Sequence, residues 1–163
     1  MNPLAVQSPE ESVRLYSFFT NWRTPVREGY SHDQLIDAYL TGMEHAKTEE
    51  KRLLGGIFQN NLEHAMKFSE EKFQALMKIF DVTPVGMRMS VIGISSFETL
   101  LILSRDNYQS SKIESIYGYL LDEMRKVNNE QFNWTFILMP SLGDLNEEAI
   151  SLDGYSLMYA NPA

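Results

Sequence analysis

The hydrophobic period of this chain changes at Pro84. Upstream, apolar residues recur three and four apart; downstream they alternate or run continuously in stretches rich in Val, Ile, Phe, Trp and Tyr, with one helical stretch between them. A shift from a period of about 3.6 to a period of 2 describes a helical N-terminal half feeding a sheet. The expected class is therefore α+β: N-terminal helices, one of them long, followed by a four-stranded, mainly antiparallel sheet in ββαββ order. All of it is expected within a single domain over 1–163, helical over residues 1–84 and sheet-forming over residues 85–163.

Ser8-Pro9-Glu10-Glu11 carries a start signal, with Ser8 as cap, Pro9 at the first helical position and Glu11 completing a capping box, so a helix is expected from Pro9 to about Asn21. The segment Asn21 to Tyr30, with Thr24-Pro25 and Glu28-Gly29, reads as a loop. Ser31 to Gln34 forms a second capping box. Beyond it Leu35, Ile36, Tyr39, Leu40, Met43 and Ala46 keep one helical phase with Leu53, Leu54, Ile57 and Phe58. That phase favours one long helix from His32 to about Lys67, although Gly55-Gly56 costs roughly 2 kcal/mol of propensity in total; a break near Thr48 or at Gly55-Gly56 is the alternative. Ser69-Glu70-Glu71 is expected to start a further helix carrying Phe73, Leu76, Met77 and Phe80 and ending before Pro84.

Beyond Pro84, Met87 to Ile94 and Phe97 to Leu103 read as paired strands joined around Ser95-Ser96, Phe132 to Met139 as a third strand closed by Pro140, and Tyr155 to Tyr159 as a fourth. Ser111 to Glu114 forms a capping box for a helix reaching about Val127, with Ile113, Ile116, Tyr117, Leu120, Leu121 and Met124 on one face. Asp144 to Leu152 is read as a helical turn begun by Asn146-Glu147-Glu148 and ending before Gly154, the alternative being a strand entering a two-residue hairpin at Asp153-Gly154. Strand alternation sets Leu101 and Leu103 against Leu100 and Ile102, and Phe132, Trp134, Phe136 and Leu138 against Ile137 and Met139. Both faces are thus apolar. One helix covers one face, so the other is expected to meet the N-terminal helices or a second subunit.

Composition narrows the function classes. With 14 basic and 22 acidic residues the formal charge is -8, which argues against nucleic acid or an anionic membrane surface as partner. No Lys or Arg follows Lys126, whereas Glu130, Asp144, Glu147, Glu148 and Asp153 do. The chain has no cysteine, which removes thiol chemistry and suits a reducing compartment. Met1 to Glu11 has neither the basic nor the apolar region of a leader, and no stretch reaches membrane-spanning length. A cytoplasmic location is expected.

Catalytic patterns fail one by one. Glu44-His45 and Glu63-His64 would approach each other only if the chain folded back at Gly55-Gly56, and neither Glu-x-x-His nor His-x-x-x-His occurs, so no metal site is expected. Glu98, Asp106 and Asp122-Glu123 lack the neighbouring strand carboxylates that a divalent-cation site needs, since Leu100 follows Glu98 at the alternate position. No glycine-rich phosphate loop occurs, and no histidine lies close in sequence to the Ser95-Ser96 and Ser110-Ser111 pairs. No cofactor is expected. The one site-like cluster is Trp22, Arg23, Arg27 and Tyr30, with Arg14 one helix face away: arginines beside aromatics in a loop between two capped helices suit an anionic group. The expected function is therefore a non-enzymatic interaction or regulatory protein that self-associates and has a protein partner. The alternative is a small-molecule or anion-binding protein, or an enzyme, using the Trp22–Tyr30 loop.

Overall fold

A long helix lies across one face of a mixed sheet, and the reason is legible in its buried positions. The computed structural model describes residues 22–23 and 48–161. The helices expected at Pro9 and Ser31, the loop residues Arg27 and Tyr30, and the stretch from His32 to Lys47 lie outside them. Helix α1 spans Thr48–Phe80, 33 residues, and buries Phe58, Leu62, Ala65, Met66, Ser69, Lys72, Phe73 and Leu76, a stripe stepping by three and four.

The helix runs through Gly55-Gly56 without interruption, and a Cβ at Gly56 would meet nothing within 4 Å. It also runs through Lys67 to Ser69, so the separate helix expected from Ser69 is corrected. Ser69 is fully buried and bonded across to a strand; packing has taken the serine that reads as a cap. The helix stops before Pro84, as expected. Asp81 takes φ 54°, which turns the chain so that the Val82 N–H donates to the Leu76 carbonyl at 3.1 Å.

Strand β1 is the two-residue Trp22–Arg23. Strands β2 (Gly86–Val91) and β3 (Ser96–Ser104) form the expected hairpin. Its turn is closed by the Ile92 and Gly93 N–H groups donating to the Ser96 carbonyl. A short helix α2 (Arg105–Tyr108) leads to α3 (Lys112–Val127). The α3 boundaries are those expected, but Ser111 makes no side-chain cap; Ser110 Oγ accepts the Lys112 N–H instead, at 3.3 Å. Strand β4 (Asn133–Ser141), helix α4 (Glu147–Leu152) and strand β5 (Leu157–Tyr159) complete the order. Helix α4 is the expected turn, capped by Asn146 Oδ1 accepting from the Ala149 N–H at 3.0 Å.

The sheet order is β1-β5-β2-β3-β4. Every pair is antiparallel except β3 with β4, which is parallel, because the connection between them crosses over through α3 rather than turning back. The sheet is thus mixed, mostly antiparallel, and β1 adds a short fifth strand to the four read from the sequence. Both α1 and α3 pack on one face, where Phe58, Leu62, Phe73, Met87, Met89, Phe97, Leu101, Ile116, Leu120 and Trp134 form the main core. On the second face Leu145, Ile150 and Tyr155 cover Leu100 and Ile102, while α1, the N-terminal helix among the described residues, packs with α3 on the first. Arg88, buried in this face, pairs with Glu147 of α4 at 2.6 Å.

Candidate functional site: the open stretch of strand β4

Among the described residues strand β4 stands at the edge of the sheet, and its two sides are unequal. Asn133 N–H donates inward to the Ser95 carbonyl at 2.7 Å, so odd-numbered residues pair with β3 and even-numbered ones point their N–H and C=O outward. At Trp134 the outward groups are already bonded: Asn128 Oδ1 accepts from its N–H at 2.7 Å and Asn128 Nδ2 donates to its carbonyl at 2.9 Å. The asparagine amide stands where the next strand would run. At the other end, Pro140 has no N–H to offer. Its ring nitrogen falls on the outward side, which is why the strand continues to Ser141 rather than closing at Pro140 as the sequence suggests.

Between these two closures lie Phe136 and Leu138. Among the described residues nothing bonds their outward N–H and C=O groups. Alongside them Tyr108, Ile113, Glu114, Tyr117, Phe136, Ile137 and Leu138 line a groove of about 530 Å³. The crossover places it: α3 runs over the sheet beside β4, and Tyr117 meets the Phe136 ring edge to face with centroids 5.4 Å apart. Tyr117 remains 51% exposed and Ile137 43% exposed, large apolar surfaces beside an unpaired backbone. Glu114, on the first turn of α3, is the one charged side chain of the lining among the described residues.

Other polar groups are engaged in holding the fold. Lys72 Nζ sits 2.5 Å from Glu123 Oε2, 3.4 Å from the Tyr119 hydroxyl and 4.6 Å from the centroid of Phe68, locking α1 to α3. The Lys72 ammonium, then Lys126, lowers the Glu123 pKa below the ordinary carboxylate range, partly offset by burial. On the opposite face of the sheet Glu98 accepts from the Tyr155 hydroxyl and, at 3.4 Å, from Thr135 Oγ1. Burial first, and Glu98 second, raise the Tyr155 pKa above its ordinary value, so the phenol stays a donor. Glu98 and Glu123 therefore lie on opposite faces and do not converge.

Of the cluster singled out by sequence, Trp22 is 3% exposed; its indole N–H donates to Glu70 Oε1 at 3.0 Å and its ring lies 5.5 Å from that of Tyr159. Arg23 sits in β1, paired with Met158, while Arg14, Arg27 and Tyr30 are outside the described residues. His64 stacks on Phe132 with centroids 4.2 Å apart, and His45 is not among the described residues. Sequence reading missed the β4 edge. One signal was present: a proline inside an apolar strand pattern is tolerated where its missing N–H faces away from the ladder.

Comparison with protein-family models, with curated proteins and with solved structures found no match to this chain. Among the described residues no group of His, Cys, Asp and Glu is arranged to hold a metal ion, and no helix is long and apolar enough to cross a membrane.

Proposed function

We propose that this chain is a non-enzymatic interaction protein, working in the reducing setting its cysteine-free sequence suits, which receives a short extended segment along β4. The observation that carries the reading is the pair of outward residues Phe136 and Leu138, unbonded on that side among the described residues, set between Asn128 and Pro140 and beside an apolar groove. Backbone pairing at a sheet edge supplies affinity, and side-chain pockets alongside it supply selectivity. Proteins that need only to protect an edge blunt it with charge, proline or cover; β4 has no charged residue, and its proline stands near one end only.

The test is a display library of random linear peptides, followed by amide exchange of the enriched binders' complexes. Slowed exchange at Phe136 and Leu138, with enrichment lost in Tyr117→Arg, supports the reading. Binders that protect other amides and ignore Tyr117→Arg overturn it. The alternative use, small-molecule or anion binding through Trp22, Arg23, Arg27 and Tyr30, has its own signature: phosphate or sulfate would raise Tm in the parent and not in a variant with both arginines changed to glutamine.

A further inference from the structure

We infer that the segment received by β4 belongs to another protein and is short, apolar at successive positions and basic at its flank. This rests on the edge reading above and adds the chemistry of the occupant.

Length follows from the closures. Asn128 fills the lane opposite Trp134 and Pro140 donates nothing, so two-way backbone pairing is limited to Phe136 and Leu138, which offer two N–H and two C=O groups, with the Pro140 carbonyl as one further acceptor at the end. Apolar character follows from the faces. A residue paired opposite Phe136 or Leu138 points to the helix side, into the groove with Ile113 and Tyr117. The residue between them points to the other side, beside Ile137, which is 43% exposed. Three successive apolar side chains satisfy both faces.

Charge follows from Glu114. It is the one carboxylate among the described residues lining the groove, in a chain of formal charge -8 with no Lys or Arg after Lys126. A Lys or Arg just beyond the apolar triplet meets Glu114, and an acidic flank is repelled by it. A second copy of this chain fits less well. Its own β4, nine residues long, would pair Phe136 with Leu138 about an axis at Ile137 and drive Pro140 into the lane that Asn128 occupies. It would also bring together two chains of the same net charge.

The probes are three blocked heptapeptides: an Ile-Val-Ile centre flanked by lysines, the same centre flanked by glutamates, and a lysine-flanked peptide N-methylated at all three central residues, which removes the amide donors of either strand direction, all followed by fluorescence anisotropy against the parent and against Glu114→Lys. The expected result is lysine over glutamate by on the order of fivefold or more in the parent, reversed or erased in Glu114→Lys, with the N-methyl peptide weakest. Sedimentation of the parent at micromolar concentration runs alongside. Equal binding of lysine and glutamate peptides overturns the basic flank while leaving the edge reading standing. Binding of none of them by a monomeric parent overturns both. A dimer dissociated by Tyr117→Arg makes a second copy the occupant and overturns the inference.

Discussion

The Trp134 indole is fully buried and donates to two hydroxyls, Ser69 Oγ at 3.0 Å and Thr99 Oγ1 at 2.9 Å, which are themselves 2.8 Å apart. These three side chains join helix α1, strand β3 and strand β4 through a polar contact in an apolar core, where an unpaired donor is costly. Thr99→Val keeps the shape and leaves the indole one acceptor, so it should cost about 1 kcal/mol. Combining it with Ser69→Ala strands the indole N–H without a partner, and the double variant should lose more than the sum of the two singles. Urea unfolding of the four proteins measures the difference; strict additivity would show that the indole finds another acceptor. Ser69 also explains why a residue read as a helix start is nothing of the kind. Its chemistry suits a cap and a buried hydroxyl equally, and burial is decided by what packs opposite.

At the scale of elements, α1 and α3 are joined by a buried cation. Lys72 is 7% exposed and its partner Glu123 19% exposed at the side chain, an intermediate case between surface pairs and fully buried ones. Glu123→Gln should therefore cost about 1–3 kcal/mol at neutral pH. Because the folded state holds Glu123 below its ordinary range, its stabilisation is present above about pH 4 and disappears as acid protonates the folded carboxylate. Thermal unfolding from pH 7 to pH 3 should show parent and variant converging on the acid side, and a gap that stays constant would mean that the loss comes from packing rather than charge. This clamp has a trace in sequence: Lys72 falls in the apolar phase of α1, where a charge has to find a partner. Which acid answers it was not legible, since α3 carries acids on several faces.

For the molecule as a whole, the chain covers both faces of its sheet with unequal means. Two helices cover one, while the segment from Leu145 to Tyr155 covers Leu100 and Ile102 on the other. Ile150, 8% exposed, is the centre of that smaller cover. Ile150→Ala should cost about 2–3 kcal/mol and raise the binding of a hydrophobic dye while far-UV circular dichroism stays constant; an unchanged dye signal would place the cover elsewhere. Much of this arrangement was readable from the residues alone. The change of period at Pro84, the helix reaching Val127, the hairpin before it and the two apolar sheet faces follow from side-chain alternation, because period reports which side of an element is buried. Period does not report against what. Continuity of α1 through Ser69, the parallel pairing of β3 with β4 and the covering of the second face by Ile150 depend on contacts between residues far apart in the chain. So does the site: Phe136 and Leu138 alternate like any strand residues. Strand order leaves β4 at the edge among the described residues, and Asn128, folded back across six residues onto Trp134, closes one end of the opening while Pro140 bounds the other.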